Sequence, residues 1–273
     1  MRVQDADKTF AGSIPEIYDA YMVPLIFEPY AIDLASRVAA QPPARLLELA
    51  AGTGAVTRRL ALELPATTEI VATDLNQPMI DRASAIGTTR PVAWRQADAQ
   101  ALPFADASFD CVVCQFGVMF FPDKPRAFAE IRRVLRPGGR LILNTWDRLE
   151  TNEFTEVVNA TLTKLYPGNP PTFMARVPHG YFDYDRIRRD VEAGGFARPA
   201  QIEAVDALSN AAAPRIPAVA LCQGTPMRNE IESRANVSLA AATDAAEQAL
   251  ARRFGTGAIS GAIRAHVITV ARD

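Results

Sequence analysis

Between Arg45 and Trp146, five short apolar runs alternate with helical stretches, and that rhythm leaves few folds open to this chain. Arg45 to Leu49 reads as a strand, followed by a helix over 55–64 that Pro65 ends. Glu69 to Thr73 is a second strand, with a helix over 77–85, and Val92 to Gln96 is a third. Phe109 to Gln115 is a fourth, followed by a helix over 124–135, a break at Arg136-Pro137-Gly138-Gly139, and a fifth strand over Arg140 to Trp146. Strands that are apolar almost throughout are buried on both faces. Helices between them supply the cover, so an α/β fold with a doubly wound, mostly parallel sheet is expected.

The flanks follow a looser pattern. Residues 14–40 look helical, with Ser13 as a candidate N-cap and Pro24 and Pro29 as punctuation, and Pro42-Pro43 closes this leader. Beyond Asp147 come a helix over 153–165, a loop at 167–171, and a helix from Asp183 to the stop at Gly194-Gly195. Ile202 to Val205 reads as a sixth strand, 215–233 and 239–254 as helical, and Ala265 to Ala271 as a last strand. There is no internal repeat.

At 273 residues the chain is one large domain or a core with a smaller cap, and it buries enough apolar surface to need no staple. Its 29 basic and 31 acidic residues leave a formal charge of −2, which gives no general field for collecting a polyanion, so no nucleic-acid partner is expected. Arg186, Arg188 and Arg189 read as a solvated helix face. Cys111 and Cys114 form a C-x-x-C string, but three residues apart on a strand they point to opposite faces and cannot share a metal or a disulfide. The acidic residues are dispersed, so no metal site is expected. Met1 to Asp5 lacks the apolar core of a signal peptide, and no apolar run approaches the roughly 20 residues that span a bilayer. With unpaired thiols besides, a cytoplasmic protein is the expectation.

Chemistry concentrates at the ends of the strands. In Leu46-Leu47-Glu48-Leu49-Ala50-Ala51-Gly52-Thr53-Gly54-Ala55 a strand runs into a small-residue turn that opens a helix, letting a ligand approach the backbone and the helix amides. Taken alone this is also how a tight packing turn or a nicotinamide site is built. Glu48 sits at the mouth of the first strand. Asp74 ends the second, 20 residues past Gly54, where a carboxylate can accept from both hydroxyls of a ribose or cap the next helix. Asp98, just past the third strand, can accept from an exocyclic amine such as that of adenine or make a turn.

Together these segments resemble the class I S-adenosylmethionine-dependent methyltransferases, especially the branch that includes the ubiquinone/menaquinone-biosynthesis enzymes. The likeness covers roughly 44–147. It is carried jointly by the first-strand turn, by "DAQALPFADASFDCVV" and by "EIRRVLRPGGRL". It implies S-adenosyl-L-methionine as cofactor, with Glu48 and the turn through Ala50, Gly52 and Gly54 at the methionine part. Asp74 is implied at the ribose hydroxyls, with Leu75 and Met79 packed on the nucleoside. Asp98 and the Ala99 backbone are implied at the adenine, and Gln115 beside the methionine tail. It also implies a Rossmann-like, seven-stranded sheet whose last strand is antiparallel, with helical cap insertions. Residues 1–43 then form an N-terminal cap, 44–147 the cofactor-binding core, and 148–273 the rest of the sheet, with substrate-site insertions at about 148–180 and 207–258. The family usually has glycine where Ala50 stands, and an alanine there calls for a negative φ.

Methyl transfer is a direct displacement at carbon, so the protein must align the reactants and exclude water, and a base is required only when the acceptor loses a proton. No catalytic residue is assigned from sequence. His179 lies in an insertion that could face the pocket, although a surface or structural role is the simpler reading, and His266 reads as a packed or edge residue. Tyr18 and Tyr21 could close over the site or simply pack, and Phe120-Phe121 reads as pocket wall or core. The expected partner is a small-molecule methyl acceptor, a quinone precursor or a secondary metabolite, and a homodimer is plausible. Two other readings stand beside this one. A nicotinamide-dependent oxidoreductase would need G-x-G-x-x-G, whereas Gly54 is followed by Ala55-Val56-Thr57. A cofactor-binding sensor or partner subunit without methyl transfer would keep the same first-strand turn. A nucleic-acid methyltransferase would carry a basic domain, which this chain lacks, and an N/D-P-P-Y/F-like motif, which does not follow the fourth strand.

Overall fold

The computed structural model describes residues 4–10, 12–234 and 237–273. Met1 to Val3, part of the leader read for a signal peptide, lie outside the described residues. The strands are β1 (Arg45–Glu48), β2 (Glu69–Asp74), β3 (Ala93–Gln96), β4 (Phe109–Gln115), β5 (Leu135–Trp146), β6 (Gln201–Ala211) and β7 (Ile259–Ala271). They form one sheet in the order β3-β2-β1-β4-β5-β7-β6, with β7 antiparallel to both neighbours and the other contacts parallel. The chain winds outward from β1 to β3, then crosses back to β4, so the order reverses between β1 and β4. Crevices outside the carboxyl ends of strands open at such a reversal, and this one fixes where a ligand can enter.

The helices are α1 (Ile14–Ile17), α2 (Glu28–Ala39), α3 (Ala55–Glu63), α4 (Gln77–Ile86), α5 (Lys124–Val134), α6 (Glu153–Leu165), α7 (Phe173–Arg176), α8 (Tyr184–Ala193), α9 (Arg215–Gln223), α10 (Met227–Glu232) and α11 (Leu239–Phe254). One face of the sheet packs on α2 and α3 through Leu34, Val38, Leu60, Leu46, Cys111 and Val113. The other carries Leu47, Val112 and Cys114 into the larger core with α5, α6, α8, α9 and α11. Cys111 and Cys114 therefore lie on opposite faces, both buried as free thiols, as alternation along a strand requires.

Several boundaries differ from the sequence expectation. The leader is helical without interruption from Ile14 to Ala39. Pro24 sits inside a wide π-helical turn spanning Tyr18–Phe27, and Pro29 is the second residue of α2. The Arg136 to Gly139 segment is a bulge within β5 rather than a break before it. Phe109 pairs with Leu135 and Cys111 already with Arg140. Gly139 is required there, because a Cβ would lie 2.8 Å from the Arg136 carbonyl oxygen and 3.0 Å from that of Asp110. The 215–233 stretch is two helices parted at Gly224.

β6 and β7 are longer than expected because they pair for eleven residues, from Gln201 with Thr269 to Ala211 with Ile259, and project beyond their neighbours. Much of β6 faces solvent at this edge, so it lacks the apolar signal of the central strands. His266 is on β7, inside the sheet and buried, with Thr145 of β5 on one side and Ala204 of β6 on the other. Among the described residues, no helix is long and apolar enough to cross a membrane.

Candidate functional site

The turn after β1 is held by the strands on either side of it. The Leu49 amide donates to the Val113 carbonyl of β4, the Ala51 amide to the Thr73 carbonyl of β2, and the Thr73 hydroxyl to the Glu48 carbonyl. Fixed at both flanks, the turn reverses sharply, with φ of 51° at Ala50, 56° at Gly52 and 84° at Gly54. The positive φ at Ala50 corrects the expectation of a negative one: the strand neighbours dictate the backbone, and the alanine follows at a cost. An L-residue in the left-handed region is disfavoured by roughly 1–2 kcal/mol. Ala50→Gly is therefore expected to stabilise the protein, by about 0.5–1 kcal/mol once glycine's larger unfolded-state entropy is subtracted. Denaturant midpoints of the two proteins measure this, and a lower midpoint for the glycine variant would refute it. Phe116, at the end of β4 on the opposite side of the crevice, is also left-handed at φ 52°. Such strain persists only where surrounding structure over-determines it, and it clusters at functional sites.

Eight of the ten residues picked from sequence line one cleft at this crevice: Ala50, Gly52, Asp74, Leu75, Met79, Asp98, Ala99 and Gln115. The cleft encloses about 830 Å³, open solvent at its mouth included. Gly54 and Glu48 stand behind the wall. Gly54 lets α3 approach, since a Cβ there would sit 3.0 Å from the Trp94 ring and 3.3 Å from the Ala83 methyl.

Asp74 is buried, and its carboxylate accepts from the Gly52 amide (2.9 Å) and the Asn76 amide (2.8 Å). Burial raises its pKa and these amides pull it back down. Asn76 is the N-cap of α4 but makes no side-chain capping bond; its Oδ1 accepts instead from the Phe10 amide. Asp98 turns the chain by accepting from the Gln100 amide at 2.9 Å, which leaves it on the cleft wall. The turn and wall readings of Asp98 hold together. Gln115 donates to the Phe27 carbonyl at 3.2 Å, while its Oε1 is buried and meets no donor among the described residues. A buried acceptor left bare in this way suits a ligand that brings an N–H.

Glu48 lies 2% exposed with Thr57 Oγ1 donating to it at 2.7 Å. Burial pushes its carboxyl up to about 8 from the ordinary 4.5, Thr57 and Arg58 opposing. The sign follows from linkage. The folded state holds this proton more tightly than the unfolded chain. Its contribution is therefore complete below pH 4.5 and is lost as pH rises towards 8. Glu48→Gln is expected to remove that loss, which amounts to about 4 kcal/mol over the window. Stability of both proteins measured from pH 5 to 8 checks it, and parallel curves would refute it.

A second cavity, of about 480 Å³, adjoins the cleft and shares Phe10, Tyr18, Phe116 and Phe120 with it. Its deeper wall is formed by Phe27, Trp146, Phe173 and His179. Phe116 stacks on Trp146 with ring centres 3.8 Å apart and planes within 3°. Tyr18 stacks on Phe27 at 5.0 Å. No Asp, Glu, Lys or Arg among the described residues lines this cavity. Tyr18 faces it from the π-turn of the leader, whereas Tyr21, 38% exposed, is not on its lining. Phe120 and Phe121 are indeed wall. They stand on a short turn that Lys124 braces, its ammonium donating to the Met119 and Phe121 carbonyls at 3.2 and 2.9 Å.

Sequence reasoning placed residues 1–43 in a cap without singling out Lys8 or Phe10. Residues 4–10 form a strap that places these two on the cleft lining. The strap is tied down by a buried pair, Asp7 with Arg176 of α7, and Arg176 also meets Glu230 of α10 at 2.9 Å. Partners 169 positions apart in the chain leave no local signal.

Residues 47–143 match the family model described as a methyltransferase domain. The ubiquinone/menaquinone biosynthesis C-methyltransferase UbiE of Saccharophagus degradans is 37% identical over 126 residues, 45% of this chain and 47% of that protein. Its counterpart from Pseudomonas fluorescens is 36% identical over 134 residues, 48% and 49% of the two chains. The chain spans about half the length of the curated relatives it matches. Among solved structures, the YcgJ protein from Bacillus subtilis superposes with a TM-score of 0.57 at 21% identity, over 89% of this chain and 98% of that one. The [4+2]-cyclase SpnF does so with 0.53 at 19%, over 89% and 80%. At those identities the likeness is one of fold.

Proposed function

We propose, for a chain whose core is a class I S-adenosylmethionine-dependent methyltransferase domain of the UbiE-like branch, that it moves a methyl group onto an uncharged small-molecule acceptor. The observation that carries this reading is the junction of the two spaces: the polar cleft and the aromatic cavity share Tyr18, Phe116 and Phe120. One space suits a nucleoside with a charged tail, the other a flat apolar partner, and the rings at the boundary align the two. The relatives named for ubiquinone and menaquinone biosynthesis make a quinone precursor one candidate acceptor, with an aromatic secondary metabolite as the other.

When bound, S-adenosyl-L-methionine supplies a methyl group on a positively charged sulfur. The chain's residues do the rest. Asp74 would hold the ribose hydroxyls, and Leu75 and Met79 would pack against the nucleoside. Asp98 and the Ala99 backbone would meet the adenine edge. Gln115 Oε1 and the turn through Gly52 would hold the polar tail, with Glu48 behind the turn. The aromatic rings and the strap keep water from the transfer, which needs alignment and exclusion more than acid–base help. Tyr18 is kept protonated, because burial together with the Asp74 and Asp19 carboxylates pushes its phenol above the usual range.

The test is incubation of the purified chain with methyl-labelled cofactor and a panel of uncharged hydroxylated and amino aromatic compounds. Label on a small molecule is the expected result. Tight binding of S-adenosylhomocysteine with no label transferred to any of them would favour a cofactor-binding protein instead.

A further inference from the structure

His179 is 5% exposed and lines the aromatic cavity beside Trp146, with ring centres 6.1 Å apart. Its Nδ1 lies 2.8 Å from the Asp147 carbonyl oxygen. A backbone carbonyl can only accept, so Nδ1 carries the hydrogen and the tautomer is set. Nε2, on the opposite edge of the ring, is left with a lone pair and no hydrogen-bond partner among the described residues. A ligand in the cavity that brings an O–H therefore finds an acceptor on this wall. The other polar groups on this cavity, the hydroxyls of Tyr18, Thr155 and Thr225, are neutral.

We infer that the cavity takes a flat, uncharged ring carrying a hydroxyl group, and that His179 Nε2 receives the hydroxyl proton as its oxygen attacks the methyl group. The inference rests on the methyl-transfer reading and adds a residue and a substrate class to it. In the step, the O–H bond breaks and an N–H bond forms on His179. The oxygen's electron pair makes the new O–CH₃ bond, and the S–CH₃ pair stays on sulfur, which leaves as a neutral thioether. The positive charge passes from sulfur to imidazole, so the net charge of the enclosed site does not change.

Burial opposes charge on His179, and the groups that favour it are carboxylates. Asp147 supplies the carbonyl, and its carboxylate, 3.2 Å from His266 Nε2, together with that of Glu150, favours the protonated ring. From the cavity side the titratable neighbour is Tyr18, which stays neutral. In the empty cavity, burial pushes the His179 pKa down to about 4, with these carboxylates opposing, so the ring is a free acceptor at neutral pH.

The experiment uses 2-naphthol as the probe and His179→Asn as the variant. Asparagine keeps an N–H near the position of Nδ1 for the Asp147 carbonyl but has no basic nitrogen at Nε2. Naphthol binding in the presence of S-adenosylhomocysteine is read from quenching of Trp146, in a Trp94→Phe background, and methylation from product mass. Binding within about threefold of the parent is expected. Transfer at pH 7 should fall on the order of a hundredfold, as for loss of a general base. The variant's rate should then climb with pH as naphthol ionises in solution, while the parent's stays flat above pH 6. His179→Gln, with a polar but non-basic atom near Nε2, should behave likewise and serves if the asparagine variant does not fold. Equal rates at pH 7, a carbon-methylated product, or naphthol bound but not methylated by the parent would each overturn the inference. Failure of S-adenosylhomocysteine to bind the parent, by calorimetry, would instead overturn the methyl-transfer reading beneath it.

Discussion

Asp74→Ala is expected to weaken S-adenosylhomocysteine binding on the order of ten- to a hundredfold, equivalent to about 1–3 kcal/mol for lost hydrogen bonds to a charged group. Asp74 does two things at once. Its carboxylate fastens the Gly52 and Asn76 amides, and it lines the cleft where ribose hydroxyls would donate to it. The alanine variant loses both, whereas Asp74→Asn keeps one carbonyl oxygen for an amide and loses the charge. An asparagine variant that melts like the parent yet binds as weakly as alanine would assign the loss to the ligand. Calorimetry showing unchanged affinity in both would remove Asp74 from the ribose.

Gly117→Ala is expected to destabilise the protein by about 1–3 kcal/mol and to distort the cleft, through overpacking alone. Gly117 has an ordinary φ of −100°, so no backbone strain enters. A Cβ there would overlap the Ala50 methyl and lie 2.8 Å from Cys114 Sγ. The first clash involves the residue that holds a strained left-handed turn, and the second a thiol packed in the core. Removing the Ala50 methyl should therefore return part of the loss. In the Ala50→Gly, Gly117→Ala double variant a coupling of about 1 kcal/mol or more is expected. Additive effects in denaturant melts would show that the contact across the crevice does not set the turn.

Hydrogen bonds to the neighbouring strands explain why Ala50 misled the sequence reading. The residue type argues for negative φ, yet the hydrogen bonds from Leu49 to β4 and from Ala51 to β2 impose the opposite sign. Eight of the candidate residues line the cleft, and all but Met79, in the first turn of α4, sit at the carboxyl end of a strand or in the turn just past it, a position that is encoded locally. Glu48 was legible as a residue at the mouth of the first strand, but its place behind the wall, bonded to Thr57, was not. The aromatic cavity was the least legible part. Phe27, Trp146, Phe173 and His179 come from four separate segments, and nothing in any one of them marks its ring as facing the others. His179 itself was assigned to surface or structure. It is structural through Nδ1, and yet it also faces the cavity.

What the amino-acid order determined by itself is the alternation of apolar strands and helices, and with it a doubly wound, mostly parallel sheet with its candidate residues gathered at the strand ends. These rest on short-range periodicity and on the handedness of parallel crossovers, which operate within about 30 residues. The length of the β6–β7 ribbon, the strap held by Asp7 and Arg176, and the ring-lined space next to the cleft were decided only by tertiary packing. Each depends on partners distant in the chain whose energies are realised only after the sheet has brought them together.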